Sequence, residues 1–285
     1  MKIVRTFATS ANIGPGFDTL GICYDIYNEY SFQISNRYYL YGFKTEFSYP
    51  DSNLIINSYE KVFSYLNKEL IYIELTEISQ NIPESRGMGS SASCIVAGVL
   101  IANEVLGNIL TQDEIFNIAT EIEGHPDNVA PLIYGGFTSS YKSDKYYSIK
   151  HNVSNELYFN LLIPPFKLST EKARGVLPKQ INMKEATSNI ASTIATINAI
   201  EKGNVEQLIR ANNDLLHEPY RLSLIEHSTD IKKIAKENNA SAYISGAGPT
   251  MLVISKNEIL DKFNLDNWNK IRVNVNQKGA YIYEK

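Results

Sequence analysis

Apolar and polar positions along the chain predict a fold in which strands and helices are mixed rather than strictly alternating. In the first third, short runs rich in β-branched and aromatic residues predict strands over residues 3–9, 20–24, 29–35 and 38–47. The spacing of Ile55, Tyr59, Val62 and Leu66 predicts a helix over residues 54–66, and a further strand is predicted over 70–78.

Two helices of different character are predicted next. Residues 90–106 are apolar almost all round, which predicts a helix buried in the middle of a domain. In the following helix, Thr111 and Glu114 form a capping box, and Gly124 ends the helix. Its apolar stripe consists of Ile115, Ile118, Ala119 and Ile122.

A polar, turn-like stretch at residues 142–155 predicts a boundary, after a strand pair near 137–147. We therefore predict two domains, 1–150 and 151–285. The second half is predicted to contain a strand over 157–163, helices over 186–202, 205–216 and 229–237, strands over 242–245 and 251–254, another helix, and strands near 271–275 and 280–283. This order favours the α+β class over a parallel doubly wound sheet.

Composition and charge narrow the range of functions. The chain is 44% hydrophobic and 20% charged, which is typical of a folded protein. Its net charge of −4 favours neither nucleic acid nor an anionic membrane as a partner. The first residues lack the apolar core of a signal peptide, and the longest apolar stretch is too short to span a bilayer, so we expect a cytoplasmic location. Cys23 and Cys94 are expected to be buried, reduced thiols.

The segment "PESRGMGSSAS", residues 83–93, carries the clearest chemical signal. Its G-x-G-x-x-A spacing resembles a dinucleotide-binding turn, but a polar loop containing Pro83 precedes it where that turn requires a strand. A Walker A motif is absent from the sequence. Glycines that open a helix let backbone amides approach an anion, and the serines add hydroxyls, so the segment suits a polyphosphate. The alternative is a serine cap with glycines needed only for packing.

Three other segments combine turns with polar groups. The loop "SANIGPGFD" begins at Ser10, and "SGAGPT" ends at Thr250; each could also be a simple connection between strands. The segment "EIEGHPDN", residues 121–128, concentrates ionisable groups at a helix end. There Glu121 flanks the apolar stripe and could reach into a cleft, although a solvated helix end is the alternative.

Taken together, these segments resemble the GHMP small-molecule kinases, a family named for galacto-, homoserine, mevalonate and phosphomevalonate kinases. All three family motifs occur in the family's order, and "PESRGMGSSAS" is similar to the specific central motif Pro-x-x-x-Gly-Leu/Met-Gly-Ser-Ser. The resemblance implies an N-terminal half like domain 2 of ribosomal protein S5 and a ferredoxin-like C-terminal half. It implies that ATP and substrate meet between the halves, and that a homodimer is possible.

The flanking motifs are most similar to the members of the family that phosphorylate homoserine. The resemblance therefore implies transfer of the γ-phosphoryl group of ATP to the side-chain hydroxyl of L-homoserine, a step toward threonine. Another GHMP kinase acting on mevalonate, or a sensor that binds the same ligands without turnover, are the alternatives.

The resemblance also implies roles for individual residues. Those expected at ATP are Pro83, Arg86, Gly87, Met88, Gly89, Ser90, Ser91, Ser93 and, beside adenine, Asn53. Those expected at the amino acid are Asn12, Asp18, His125, Arg174, Arg221, Gly246 and Gly248. Ser91 and Glu121 are expected to hold Mg²⁺, a hard cation that prefers oxygen ligands. Thr170 and Arg174 are expected near the transferring phosphate.

Asn128 falls where several other members of the family carry a catalytic aspartate. An amide takes no proton at neutral pH, and phosphoryl transfer depends chiefly on positioning and charge neutralisation. We therefore expect direct attack by a hydroxyl that Asn128 and Asn12 orient. The phosphate loop, the part of "PESRGMGSSAS" that precedes the helix (residues 83–89), departs from the family pattern at Ser85, where glycine is common. Glu84 is an unexpected anion, offset by Arg86 or turned to solvent.

Overall fold

The computed structural model describes residues 1–285 and contains two sheets. The larger sheet has seven strands: β1 Lys2–Ala11, β2 Leu20–Ile34, β3 Tyr39–Tyr41, β4 Ile73–Gln80, β5 Phe137–Lys142, β6 Tyr146–His151 and β11 Tyr281–Glu284. Its order is β11-β1-β2-β4-β3, with β5 paired to β2 and β6 to β5. Strand β2 replaces two predicted strands, because a bulge opposite Phe7 and Ala8 lets one long strand continue.

Helices α1 Leu54–Tyr65, α2 Ser90–Val105, α3 Gln112–Glu123 and α4 Val129–Tyr134 belong to the first half. Helix α2 lies in the middle of a cluster of 27 buried apolar residues, as its all-round apolar pattern predicts. A Cβ atom at Gly98 would lie 2.3 Å from the carbonyl of Ile55, so glycine is needed where α1 and α2 cross. The predicted capping box is present at Thr111 and Glu114, and Gly124 ends α3 with φ +91°.

The second sheet is antiparallel and has the order β10-β7-β9-β8. Its strands are β7 Tyr158–Ile163, β8 Ser241–Ile244, β9 Met251–Ser255 and β10 Asn269–Val273. The helices of this half are α5 Thr170–Gly175, α6 Met183–Lys202, α7 Val205–Ala211, α8 Glu218–Arg221 and α9 Ser228–Glu237. The helix predicted after β9 is only a 3₁₀ turn, Leu260–Lys262. The α+β class is confirmed.

The two halves share buried surface. A second cluster, of 20 buried apolar residues, includes Leu20 and Phe137 from the first half and Leu161 and Leu252 from the second. Strand β11 pairs with β1 in the first sheet, although it closes the second half in sequence. The predicted domain boundary at residue 150 therefore falls within β6. It also assigns β11 to the second domain, although this strand belongs to the first sheet. None of the helices combines the length and apolarity needed to cross a bilayer.

Candidate active site

The loop before α2 turns backbone amides toward a cleft between the two halves. Gly87 and Gly89 have φ +72° and +70°, and Gly89 precedes α2 without any side-chain cap. The carbonyl of Met88 accepts a hydrogen bond from the amide of Thr9, which fixes the loop to β1 at 3.1 Å. The uncapped first amides of α2 and the positive end of its dipole therefore face the cleft, where they can bind an anion.

A carboxylate and a hydroxyl lie together beside this loop. The hydroxyl of Ser91 donates a hydrogen bond of 3.0 Å to Glu123 Oε2, and both residues line the cleft. Burial raises the pKa of Glu123, although Ser91, His125 and Arg174 partly oppose the shift. A hydroxyl and a partly buried carboxylate are the kind of oxygen ligands that Mg²⁺ prefers.

The structure contradicts the assignment of Glu121 to this metal site. Glu121 is exposed on α3 and lies outside the cleft. Helical spacing in the sequence favours Glu123, because Glu123 follows Phe116 by seven positions and Ala119 by four. Both of these apolar residues are buried in the structure. Glu123 therefore continues the inward face of α3, whereas Glu121 does not.

The loop between β1 and β2 carries an acid that pairs with an arginine of α5. Both guanidinium ends of Arg174 donate to the carboxylate of Asp18, at 2.6 and 3.2 Å. Asn12 holds the loop, because its Oδ1 accepts the amide of Asp18 at 2.8 Å and its Nδ2 donates to the carbonyl of Gly246 at 3.0 Å. The Asp18 and Arg174 side chains each remain 35% exposed, so the pair is accessible.

A second arginine is fully buried at the base of the cleft. Arg221 donates from Nε to the carbonyl of Ala173 at 3.1 Å and from Nη1 to that of Gly246 at 3.3 Å. Burial and the nearby charge of Arg174 lower the pKa of Arg221 to about 10. Sequence reasoning missed Phe17, whose ring contacts both cations: its centre lies 5.5 Å from Arg174 Cζ and 5.3 Å from Arg221 Cζ.

His125, Asp127 and Asn128 form a hydrogen-bonded group where α3 ends. Asp127 Oδ1 lies 2.9 Å from His125 Nδ1 and accepts the amide of Asn128 at 3.1 Å. Burial alone would lower the pKa of His125, but the hydrogen bond and the charges of Asp127 and Glu123 raise it. Asn128 Oδ1 accepts a hydrogen bond of 2.7 Å from Thr9, so its Nδ2 remains available to the cleft as a donor.

Most of the other predicted residues also line the cleft: Asn53, Arg86, Gly87, Met88, Gly89, Ser90, Thr170 and Gly246. Asn53 caps α1 at an apolar end of the cleft beside Phe47, whose carbonyl accepts from Asn53 Nδ2. Thr170 is the first residue of α5. Ser85 has a φ of +53°, in the left-handed region that glycine adopts without strain, so glycine suits this position in the family.

Besides Glu121 and Asp18, three further predicted residues do not line the cleft. The hydroxyl of Ser93 is buried 2.6 Å from that of Thr6, so it joins α2 to β1 instead of facing the cleft. Pro83 lies in a neighbouring groove, and Gly248 supports the phosphate loop from behind, since a Cβ atom on Gly87 would lie 2.7 Å from its carbonyl. The anion at Glu84 is offset by Lys44 at 2.5 Å and Lys167 at 3.6 Å, not by Arg86.

Comparisons with known proteins agree with this geometry. The GHMP kinase N-terminal domain matches residues 53–136, and the GHMP kinase C-terminal domain matches residues 196–269. The chain belongs to the GHMP kinase family. This family membership implies ATP as the co-substrate, and the phosphate loop is its central motif.

The relatives within the GHMP kinases are named more narrowly. The homoserine kinase of Clostridium beijerinckii is 39% identical over the whole of this chain and 99% of its own. That of Clostridium botulinum strain Okra is 42% identical over 92% of this chain and 88% of its own. The crystal structure of homoserine kinase from Cytophaga hutchinsonii has a TM-score of 0.86 at 28% identity, with 99% of this chain and 97% of that chain covered.

Proposed function

We propose that this GHMP kinase is a homoserine kinase, which transfers the γ-phosphoryl group of Mg-ATP to the side-chain hydroxyl of L-homoserine. The observation that carries the proposal is the pairing of both signs of charge at one end of the cleft. Arg174 and Arg221 line the same cleft as the phosphate loop, and Asp18 supplies a carboxylate that pairs with Arg174 at the edge of this cleft. A free amino acid carries both charges, so its recognition requires both partners.

The acceptor would bind through its backbone charges. Arg221 suits a carboxylate through its remaining donor, Nη2, because the hydrogen bonds from Nε and Nη1 to backbone carbonyls hold the guanidinium in place. Asp18 suits an ammonium group, with Asn12 and Gly246 holding the loop in place. His125 and Arg174 complete the polar wall of this pocket.

The nucleotide would bind with its phosphates over the glycines and the first turn of α2. No group of three or more His, Cys, Asp or Glu side chains is placed to hold a metal ion. A magnesium ion at Ser91 and Glu123 would therefore take its remaining ligands from phosphate oxygens and water, as Mg²⁺ does in many phosphoryl-transfer sites. When bound, the ion would neutralise charge that develops on the phosphates.

Asn128 would orient the attacking hydroxyl without removing its proton. Because Thr9 occupies Asn128 Oδ1, the amide offers a donor to the hydroxyl oxygen, and the proton of that hydroxyl is left free to pass to a phosphate oxygen. A loose transition state requires little help from a base. We expect Asn128→Asp to lower kcat. A strong rise in kcat, with a pH profile governed by one new acidic group, would contradict this mechanism.

The proposal is tested by the release of ADP from Mg-ATP in the presence of candidate acceptors. The panel contains L-homoserine, L-threonine, L-serine and mevalonate, and we expect a large response to L-homoserine alone. A response to mevalonate would instead identify another GHMP kinase. Binding of nucleotide and homoserine without ADP release would identify a sensor.

A further inference from the structure

Several residues of the phosphate loop form hydrogen bonds or ion pairs with the C-terminal half. The carboxylate of Glu84 lies 3.6 Å from Lys167 Nζ, and the carbonyl of Ser85 accepts a hydrogen bond of 3.1 Å from the amide of Leu168. The carbonyl of Gly87 accepts a hydrogen bond of 2.6 Å from the hydroxyl of Ser245. The loop therefore contacts the opposite half through consecutive residues.

Arg86 adds two side-chain hydrogen bonds to these attachments. Its Nε donates to the carbonyl of Pro164 at 3.0 Å, and its Nη2 donates to that of Pro165 at 2.6 Å. Its Nη1 donates to the carbonyl of Glu84 at 3.3 Å, so one guanidinium joins both chain segments. No carboxylate pairs with Arg86; its partners are all backbone carbonyls, which fix the fork in one orientation.

The segment that Arg86 holds leads directly to the acceptor side of the cleft. Residues 164–168 connect the end of β7 to α5, which begins at Thr170 and carries Arg174. Arg174 in turn holds Asp18, the expected partner of the ammonium group. A displacement of the phosphate loop would therefore be transmitted through the carbonyls of Pro164 and Pro165 to the residues that bind the acceptor.

We propose that Arg86 is a positioning residue that couples the two ligand sites, so that bound nucleotide strengthens the binding of L-homoserine. By thermodynamic linkage, L-homoserine must strengthen nucleotide binding by the same factor. The identity of the acceptor rests on the proposed function, but the coupling itself rests on the contacts of Arg86. An alternative role for Arg86 is that of a cation that acts on the phosphates through its charge alone.

Substitution of Arg86 by lysine distinguishes the coupling role from the charge-only role. Arg86→Lys keeps the positive charge but has no planar fork, so it cannot hold two adjacent carbonyls and a third at once. A charge-only role would survive this substitution, whereas the coupling role would not. Arg86→Met removes the charge as well, and it keeps an unbranched side chain in the same space.

The test is a pair of calorimetric titrations on the full-length protein. L-Homoserine is titrated with and without saturating Mg-AMPPNP, and the ratio of the two Kd values gives the coupling factor. For the wild type we expect a factor of at least about fivefold, the lower end of typical allosteric coupling. For Arg86→Lys and Arg86→Met we expect a factor near one, with circular dichroism showing that both variants are folded.

Arg210→Met is the matched control, because Arg210 forms an exposed ion pair with Glu206 on α7, far from these contacts in the chain. It should keep the wild-type factor. Wild-type coupling in Arg86→Lys, or no coupling in the wild type, would overturn the proposal. If L-homoserine did not bind at all, the proposed function would fail instead. The same ratio would then be measured with whichever acceptor stimulates ADP release.

Discussion

Glu123 and Glu121 are two positions apart on α3, which points their side chains to different sides of the helix. Only Glu123 contacts Ser91 in the cleft. We expect Glu123→Gln to lower kcat by about 10²–10³-fold, the scale on which a charge-stabilising group contributes to catalysis. Glu121→Gln is the matched control and should leave kcat within about twofold, because exposed substitutions have small effects. Equal losses in both variants would contradict the assignment.

The burial of Glu123 also predicts a pH dependence. Burial raises the pKa of this carboxyl, so it takes up its proton at a higher pH than an exposed glutamate does. A protonated ligand binds a metal poorly, so kcat/KM for Mg-ATP should fall as the pH decreases through this raised pKa. The profile is measured between about pH 5 and pH 8, the range above the ordinary glutamate pKa. In Glu123→Gln this limb should shrink, and what remains should follow His125, whose pKa is also raised.

The sequence allowed the site to be predicted as a set of segments better than as a set of side chains. The motifs correctly indicated a glycine loop that opens a helix, because glycines and a serine run leave little choice of backbone. The direction of each side chain depends on helical phase and on the opposite surface. For this reason Ser93 of α2 contacts Thr6 of β1 instead of the cleft, and Glu123, not Glu121, contacts Ser91.

Glycine at position 87 connects two elements by allowing their backbones to approach. A Cβ atom there would lie 2.2 Å from the carbonyl of Ser245 and 2.7 Å from that of Gly248. Gly87→Ala should therefore separate the phosphate loop from the C-terminal half. We expect kcat/KM to fall by about 10²-fold, as misplacement of a binding element by about 1 Å can cause.

Gly107 provides the control for backbone strain. Its φ is +85°, close to that of Gly87, but a Cβ atom there would have no neighbour within 4 Å. Gly107→Ala should therefore lower only the free energy of unfolding, by about 1–2 kcal/mol for a left-handed residue. Denaturant unfolding and kinetics of the two variants separate the effects. Normal kinetics in Gly87→Ala would show that the close approach is not needed.

Long helices could be predicted from their repeating patterns, whereas the shortest helices could not. Helix α2, with 16 residues, was predicted almost to its ends. Helices α4, α5 and α8 have six, six and four residues, too few to display a helical pattern. Short helices depend on tertiary contacts for stability, and those contacts are not visible in local sequence. Two of the missed helices carry Arg174 and Arg221.

At the scale of the whole molecule, the cleft is formed where the two halves pack together, because both halves contribute residues to its lining. Their shared cluster of 20 buried apolar residues includes Met88 of the cleft wall, and the contacts of the phosphate loop join the same two halves. Interfaces within a chain usually permit motion unless they are large and apolar. This interface is apolar and buried, so we expect the halves to be held together and the geometry of the site to depend on both.

This arrangement predicts that the two halves unfold together. The chain contains one tryptophan, Trp268, which lies 8% exposed in the core of the C-terminal half beside Phe166. Its fluorescence therefore reports that half alone, whereas far-ultraviolet circular dichroism reports both. We expect the two signals to give the same midpoint in denaturant, as a single cooperative transition requires. Midpoints that differ reproducibly would show that each half folds independently. In that case the shared cluster would not be enough to fix the position of the acceptor residues against the phosphate loop.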